Sequence, residues 1–381
     1  MKFKKVSNII KLMSLPALLL HSFSALATTY PVKLTDIDGN NVEISHEPQR
    51  IVVQDGRDIL AIALLDRANP FKRIVAWNNI LLKSDKGMFR LLEEKWGNDI
   101  KPILDMKNGD DGQVNLEQIL AQKPDLMIVQ LRAKQALKES GVLEKLSALK
   151  IPVIFIDTSK DPIVNTPRSI DILGEALNKE KEAMEYVSFY NQHLSALKET
   201  IATISYHPKV FLEAKAGQDG PESCCYTHAN SGWGKLLDAV SADNIAKKFF
   251  KDASYGQANI ETVISEKPDV YIATGSQWGH SNSIALPFGY NVSEKDIQSN
   301  FSSLQSRTAF EQISAVKNKR FYGVYHQFYN HPYNIVGVEI LAKEIYPQQF
   351  DKLEPTATYQ AIINDFTTIP DKSIILYGKS N

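Results

Sequence analysis

Apolar residues from Leu116 recur at helical spacing, stop at Pro124-Asp125, and resume as the unbroken run Leu126–Val129. The same order returns from Ile260, through Pro268-Asp269, to Val270–Ala273. Aligned, residues 114–129 (VNLEQILAQKPDLMIV) and 258–273 (ANIETVISEKPDVYIA) are identical at Asn115/Asn259, Glu117/Glu261, Lys123/Lys267, Pro124/Pro268, Asp125/Asp269 and Ile128/Ile272. Each copy predicts an Asn-capped helix, a stop at Pro-Asp, and a short buried strand. A second echo follows each copy, LEKLSALK at 143–150 and FEQISAVK at 310–317, and leads into the apolar runs IPVIFI and RFYGVY. The chain therefore reads as two doubly wound α/β lobes related by internal duplication, with a ligand cleft between them.

The remaining pattern fills in that plan. Val32–Ile44 alternates about the turn Asp38-Gly39-Asn40-Asn41 and predicts a hairpin. A strand at Ile51–Val53, a helix over Asp58–Leu65 and a strand over Arg73–Trp77 continue the α/β alternation of an N-terminal lobe spanning 28–164. Over 165–206 no strand is expected. Apolar residues at 170, 173, 177, 184, 187, 194, 201 and 204 mark one helix face, with Thr166-Pro167 as its start. One helix of this length would connect the lobes as a rod of about 58 Å, unless Gly174 or Asn178 breaks it. The C-terminal lobe is expected over 207–333. A helical tail over 334–381, with helices at 335–345 and 358–366, is expected to pack on a lobe.

The first 27 residues have a separate character. Lys2, Lys4 and Lys5 precede the apolar stretch Leu12–Leu20, and Ala25-Leu26-Ala27 has the form of an export cleavage site. A cleaved signal peptide over 1–27 is expected, and with it a periplasmic location; no cysteine near the cleavage site offers a lipid attachment. Its removal takes four of the 43 Lys+Arg residues and none of the 44 Asp+Glu residues. The mature chain is thus mildly acidic, which argues against a nucleic-acid partner. Hydrophobic content of 43% and charged content of 23% are ordinary for a globular chain. The two cysteines, Cys224 and Cys225, are adjacent. Neighbouring Cα atoms lie closer than an ordinary disulfide spans, so two small buried apolar side chains are the simpler expectation.

Four stretches together resemble the class III periplasmic substrate-binding proteins of ABC transporters, the receptors for ferric siderophores, haem, cobalamin and some metal species. They are TDIDGNNVEISHEPQRIVV (35–53), the paired Asn-[Leu/Ile]-Glu…Lys-Pro-Asp segments, the helical connector, and SGWGKLLDAVSADNIA (231–246). The resemblance spans nearly all of the mature chain. It implies a monomer that binds a small molecule between its lobes, most simply a ferric siderophore, and hands it to a membrane permease. It also implies that Glu117 and Glu261, one per lobe, dock on the permease. The plainer role of a first-turn glutamate is to complement the helix dipole, and both can hold.

Ligands of open α/β sheets bind beyond the carboxyl ends of the strands. The residues there give the expected lining: Arg57, Trp77, Asn78 and Arg132 from the first lobe, and Tyr226, Trp278, His280, His326 and Tyr329 from the second. Aromatic faces with arginines suit a bulky anionic ligand. A bare metal ion is disfavoured, because His228, His280, His326 and His331 all belong to the second lobe. His280, His326 or His331 could instead complete the coordination of a bound metal complex. Haem, cobalamin, another metal complex or an oxyanion such as molybdate remain alternatives. No resident cofactor is expected. The chain contains no phosphate loop, dinucleotide fingerprint, nucleophile elbow or His-Glu-x-x-His motif, so an exported enzyme is a remote reading.

Overall fold

The computed structural model describes residues 29–107, 114–278 and 282–381. The signal-peptide segment, and His280, lie outside them. Two five-stranded sheets carry the molecule. The first is ordered Leu104–Asp105, Ile74–Trp77, Ile51–Val53, Leu126–Gln130, Val153–Ile156, all parallel. The second is ordered Asp243–Asn244, Lys209–Glu213, Val270–Gly275, Phe321–Tyr325, parallel, with Tyr377–Lys379 added antiparallel at its edge. The two repeated strands, Leu126–Gln130 and Val270–Gly275, thus lie in separate sheets and are buried throughout.

The identical residues of the repeat do identical work. Asn115 and Asn259 cap their helices: Asn115 Oδ1 accepts from Gln118 N (3.1 Å) and Asn259 Oδ1 from Glu261 N (2.8 Å). Lys123 and Lys267 both take the left-handed conformation (φ 50° in each) that turns the chain out of the helix. The aspartates then fix the neighbouring strand. Asp125 accepts from the amides of Gln49 and Arg50 (2.8 and 2.9 Å), and Asp269 accepts from that of Lys209 (2.8 Å). In return Asp125 N donates to Arg50 O and Asp269 N to Lys209 O.

The connector is helical but is not a rod. Helices Pro162–Leu177 and Glu180–Ile201 meet at Asn178, which is left-handed (φ 57°), and fold back on each other. The start of the first and the end of the second share a surface hollow. Gly174 allows the close approach, since a Cβ there would lie 2.6 Å from the Ala183 Cβ. The first helix begins earlier than Thr166-Pro167 suggests: Asp161 is the cap, accepting from Val164 N, and Pro162 occupies the first turn. Thr166 is instead buried, and its hydroxyl accepts from Asn334 Nδ2 (2.7 Å).

The tail helices run Asn334–Ile345 and Pro355–Phe366. They tie the parts together rather than resting on one lobe. Asn334 Oδ1 accepts from Tyr190 OH of the connector (2.7 Å), Thr368 Oγ1 donates to Arg67 O of the first lobe and Tyr346 OH donates to Ser241 O of the second (3.2 Å). Just before the tail, Tyr186 OH donates to Pro332 O (2.7 Å) and Tyr333 OH to Leu60 O (3.2 Å). Among the described residues, no helix is long and apolar enough to cross a membrane.

Candidate functional site

The carboxyl ends of both sheets face a shared cleft containing two cavities. One, of about 370 Å³, is lined by Arg57, Arg132, Ser159 and Lys160 of the first lobe and by Lys215, Tyr226, His228, Tyr255, Tyr329 and Asn330 of the second. The other, of about 180 Å³, shares Arg57, Lys215 and Tyr329 and adds Lys83, Trp278 and His326. Hollows of about 570 and 480 Å³ lie elsewhere on the surface, but neither is bounded by the strand ends of both sheets.

The first-lobe wall is cationic. Asp55, at the end of Ile51–Val53, is 3% exposed and holds two guanidiniums. Arg57 Nε and Nη2 donate to its two oxygens (2.9 and 2.8 Å), and Arg132 Nη2 donates to Oδ2 as well. Burial alone would raise the Asp55 pKa; the charges of Arg57 and Arg132 outweigh it and hold the carboxyl well below its ordinary range. Asp58, one turn on, goes the other way. Burial, then the nearby Asp55 charge, raise it well above the ordinary value, and its Oδ1 accepts from Gln130 Nε2 (2.5 Å). Gly56 makes this turn possible, because a Cβ there would lie 2.0 Å from the Asn78 carbonyl oxygen.

The second-lobe wall is an unbroken series of rings. Trp278 meets His326 (5.0 Å between centroids), His326 meets Tyr329 (4.9 Å), Tyr329 meets His228 (5.0 Å), His228 meets Tyr226 (5.6 Å) and Tyr226 meets Tyr255 (5.7 Å). Lys215 Nζ lies 5.8 Å from the Tyr226 ring centre. The imidazoles are neutral. Burial, then Lys215, lowers His228 to about 3, and burial, then Lys215, His228 and Arg57, lowers His326 well below its ordinary value. His228 Nδ1 accepts from Trp233 N (3.4 Å), which leaves the proton on Nε2. His326 Nδ1 lies 2.6 Å from the Thr274 hydroxyl, whose oxygen also accepts from Lys215 N (2.9 Å).

The lobes also touch on both flanks of the cleft. On one, Gln327 Nε2 donates to Ser84 O (2.5 Å) and Tyr325 OH donates to Asp85 Oδ2. On the other, Gly232 N donates to Ser159 O (2.9 Å), and the Asn330 side-chain oxygen accepts from Arg57 Nη1 (2.6 Å) in the amide orientation that satisfies both its ends.

Of the residues expected from sequence, Arg57, Arg132, Tyr226, Trp278, His326 and Tyr329 come together here. Trp77 does not. It is 1% exposed and packs edge-on against Phe71 in the first-lobe core, because the last residue of its strand points inward. Asn78 is buried behind Gly56. His331 is buried away from the cleft, its Nδ1 accepting from Tyr333 N (3.1 Å). Lys83, Lys160 and Tyr255 were not expected. Lys83 lies on the short helix Leu81–Ser84, Lys160 in an irregular segment and Tyr255 on a short edge strand, where strand-end counting does not reach. Cys224 and Cys225 are bonded as a disulfide across a cis peptide bond, contrary to the expectation of two separate apolar side chains.

Residues 87–327, well over half of the chain, match the family described as periplasmic binding protein. The chain belongs to the periplasmic binding protein family. It is similar to a TroA-like periplasmic binding protein FepB from Veillonella parvula, with 25% identity, a TM-score of 0.82, and 92% of this chain aligned with all of that one. It is 24% identical over 326 residues to an uncharacterized ABC transporter substrate-binding lipoprotein, YvrC, of Bacillus subtilis (strain 168), covering 84% of this chain and 87% of that protein. A vitamin B12-binding protein of Yersinia pestis (strain Pestoides F) is 26% identical over 167 residues, 43% of this chain and 54% of that one. The protein is therefore a class III substrate-binding component of an ABC transporter and not an enzyme. It works outside the cytoplasm, takes a small-molecule ligand and serves a membrane permease.

Proposed function

We propose that this protein captures an anionic metal complex, a ferric siderophore, in the periplasm and delivers it as a monomer to its permease. The observation that carries this reading is the asymmetry of the cleft. Arg57, Arg132, Lys83, Lys160 and Lys215 line the two cavities, and no carboxylate among the described residues does. Opposite the four first-lobe cations, and beside Lys215, stands a wall of rings. Cations neutralise a multiply charged complex, and ring faces cover its flat organic ligand. A small oxyanion has no use for six consecutive rings. Cobalamin, bulky and carrying little charge, has no use for five cations. Haem, flat with two carboxylates, is the second reading.

With its proton on Nδ1, His326 has an Nε2 lone pair that can complete the metal's coordination, whereas the His228 Nε2 proton can only be donated in a hydrogen bond. Glu117 and Glu261, both exposed in the first turns of the repeated helices, then seat the loaded protein on the permease.

Titration of intrinsic fluorescence tests the ligand class, since Trp278 lies in the cleft. Ferric catecholate and hydroxamate complexes, haemin, cyanocobalamin and molybdate are added in turn to the apo protein. Saturable one-to-one quenching by a ferric siderophore, tighter than by the others, is the expected result. Tightest binding of haemin would favour the second reading, and tightest binding of cobalamin or molybdate would remove both.

A further inference from the structure

The loop joining Lys209–Glu213 to Tyr226–His228 ends in the only two cysteines of the chain. We propose that Cys224–Cys225 is a thiol–disulfide exchange site, through which a small-molecule thiol loosens the cleft strand and the turn leading to Glu261. Three observations place it there.

The two sulfurs differ in access. Cys225 is fully buried, whereas Cys224 is half-buried and lines a surface hollow of about 480 Å³ with Gln257, Asn259, Glu261 and Arg307. A thiolate arriving from solvent therefore meets the Cys224 sulfur.

An ion pair flanks the disulfide. Arg307 donates to Ser223 O (3.1 Å) on the preceding residue, and its guanidinium is paired to Glu213 through two 2.7 Å bonds. The Glu213 carboxylate lies within 4.8 Å of both sulfurs, so the pair surrounds them with opposed, mutually compensated charges. Glu222 and Glu261 also border the hollow, so the access of Cys224, and not charge, selects the sulfur that is attacked.

The position joins two working parts. Cys225 and Ala258 exchange backbone hydrogen bonds, Cys225 N to Ala258 O (3.3 Å) and Ala258 N to Cys225 O (2.9 Å). Ala258 precedes the Asn259 cap of the helix that carries Glu261. On the other side, Tyr226 follows directly and its ring belongs to the cleft wall.

The chemistry balances without another oxidant. A thiolate RS⁻ attacks Cys224 Sγ, forming an R–S–S–Cys224 bond as the Sγ–Sγ bond breaks, and the Cys225 thiolate takes up a proton. A second thiolate attacks the sulfur of R, releasing RSSR, and the Cys224 thiolate is protonated. The net change is two thiols oxidised to one disulfide and one protein disulfide reduced to two thiols.

The test uses the mature protein and reduced glutathione under native conditions, read by peptide mass mapping and amide hydrogen exchange. Glutathione is expected on Cys224 and not on Cys225. After full reduction, exchange of segments 224–228 and 257–261 should accelerate several-fold while the buried strand 126–130 is unchanged. The double substitution Cys224→Ser/Cys225→Ser should reproduce the accelerated pattern. If that variant does not fold, the wild-type reduction alone decides. No adduct without denaturant, an adduct on Cys225, or unchanged exchange after reduction would each overturn the proposal. None of these readouts requires the transported ligand, so their failure leaves the cargo assignment untouched.

Discussion

Asp55 sets the charge of the cleft. One buried carboxylate between Arg57 and Arg132 leaves a net positive charge and fixes both guanidiniums at the cavity wall. Arg57→Ala and Arg132→Ala should each weaken an anionic ligand several-fold in a fluorescence titration, with the weakening reduced at high salt; unchanged affinity would take that residue out of the site. Asp85 makes a different prediction. Burial raises its carboxyl to about 6, although the bonds from Tyr325 and Met88 work against the rise. The folded chain therefore holds this proton more tightly than the unfolded one. The stabilisation is fully present below about pH 4 and is lost as pH rises through 6. Asp85→Asn should raise unfolding stability by roughly 2–3 kcal/mol at pH 8 and change it little at pH 4, measured by denaturant melts at both values. Comparison with wild type at each pH matters, because His228 and His331, both lowered to about 3, give the opposite trend as pH falls below 6.5. Residues of this kind were only partly legible in the sequence. Counting past a strand end found Arg57 and Arg132. It could not tell that Trp77 points inward or that His331 turns its ring toward Tyr333, since one residue of register reverses a side chain's face.

At the scale of elements, the repeat was informative because its identical residues sit where the backbone needs them. The aspartates of the two Lys-Pro-Asp motifs are strand clamps, a role that apolar periodicity alone does not reveal. Asp125→Ala and Asp269→Ala should each cost about 1–3 kcal/mol, the range for hydrogen bonds to a charged group, in equilibrium unfolding. A loss below the error of the melt would show that the clamps are dispensable. The connector was legible as helix, and Asn178 as a place where it could break, but the sequence did not show that it does break there. Its apolar periodicity continues on both sides of Asn178, but one left-handed residue turns a rod into a hairpin, and the close approach of Gly174 to Ala183 that this turn allows is a tertiary contact that periodicity does not show.

For the whole molecule, the lobes, the hairpin and the tail are pinned by buried polar contacts at Asn334, Tyr186 and Tyr333. Fixed lobes present Glu117 and Glu261 at a set separation. Glu117→Ala/Glu261→Ala should leave ligand affinity unchanged and abolish uptake in cells that depend on this protein; normal uptake would refute the docking role. The two-lobed plan followed from a duplicated sixteen-residue pattern, because a duplicated fold needs a duplicated core. The cargo did not follow, because cleft residues lie in loops whose sequence carries no period.

The most direct test is native mass spectrometry, with absorbance spectra, of the protein purified from its own host under iron limitation. The account predicts one equivalent of an anionic ferric complex, lost in the Arg57→Ala/Arg132→Ala variant. A neutral ligand, or one retained in full by that variant, would contradict it.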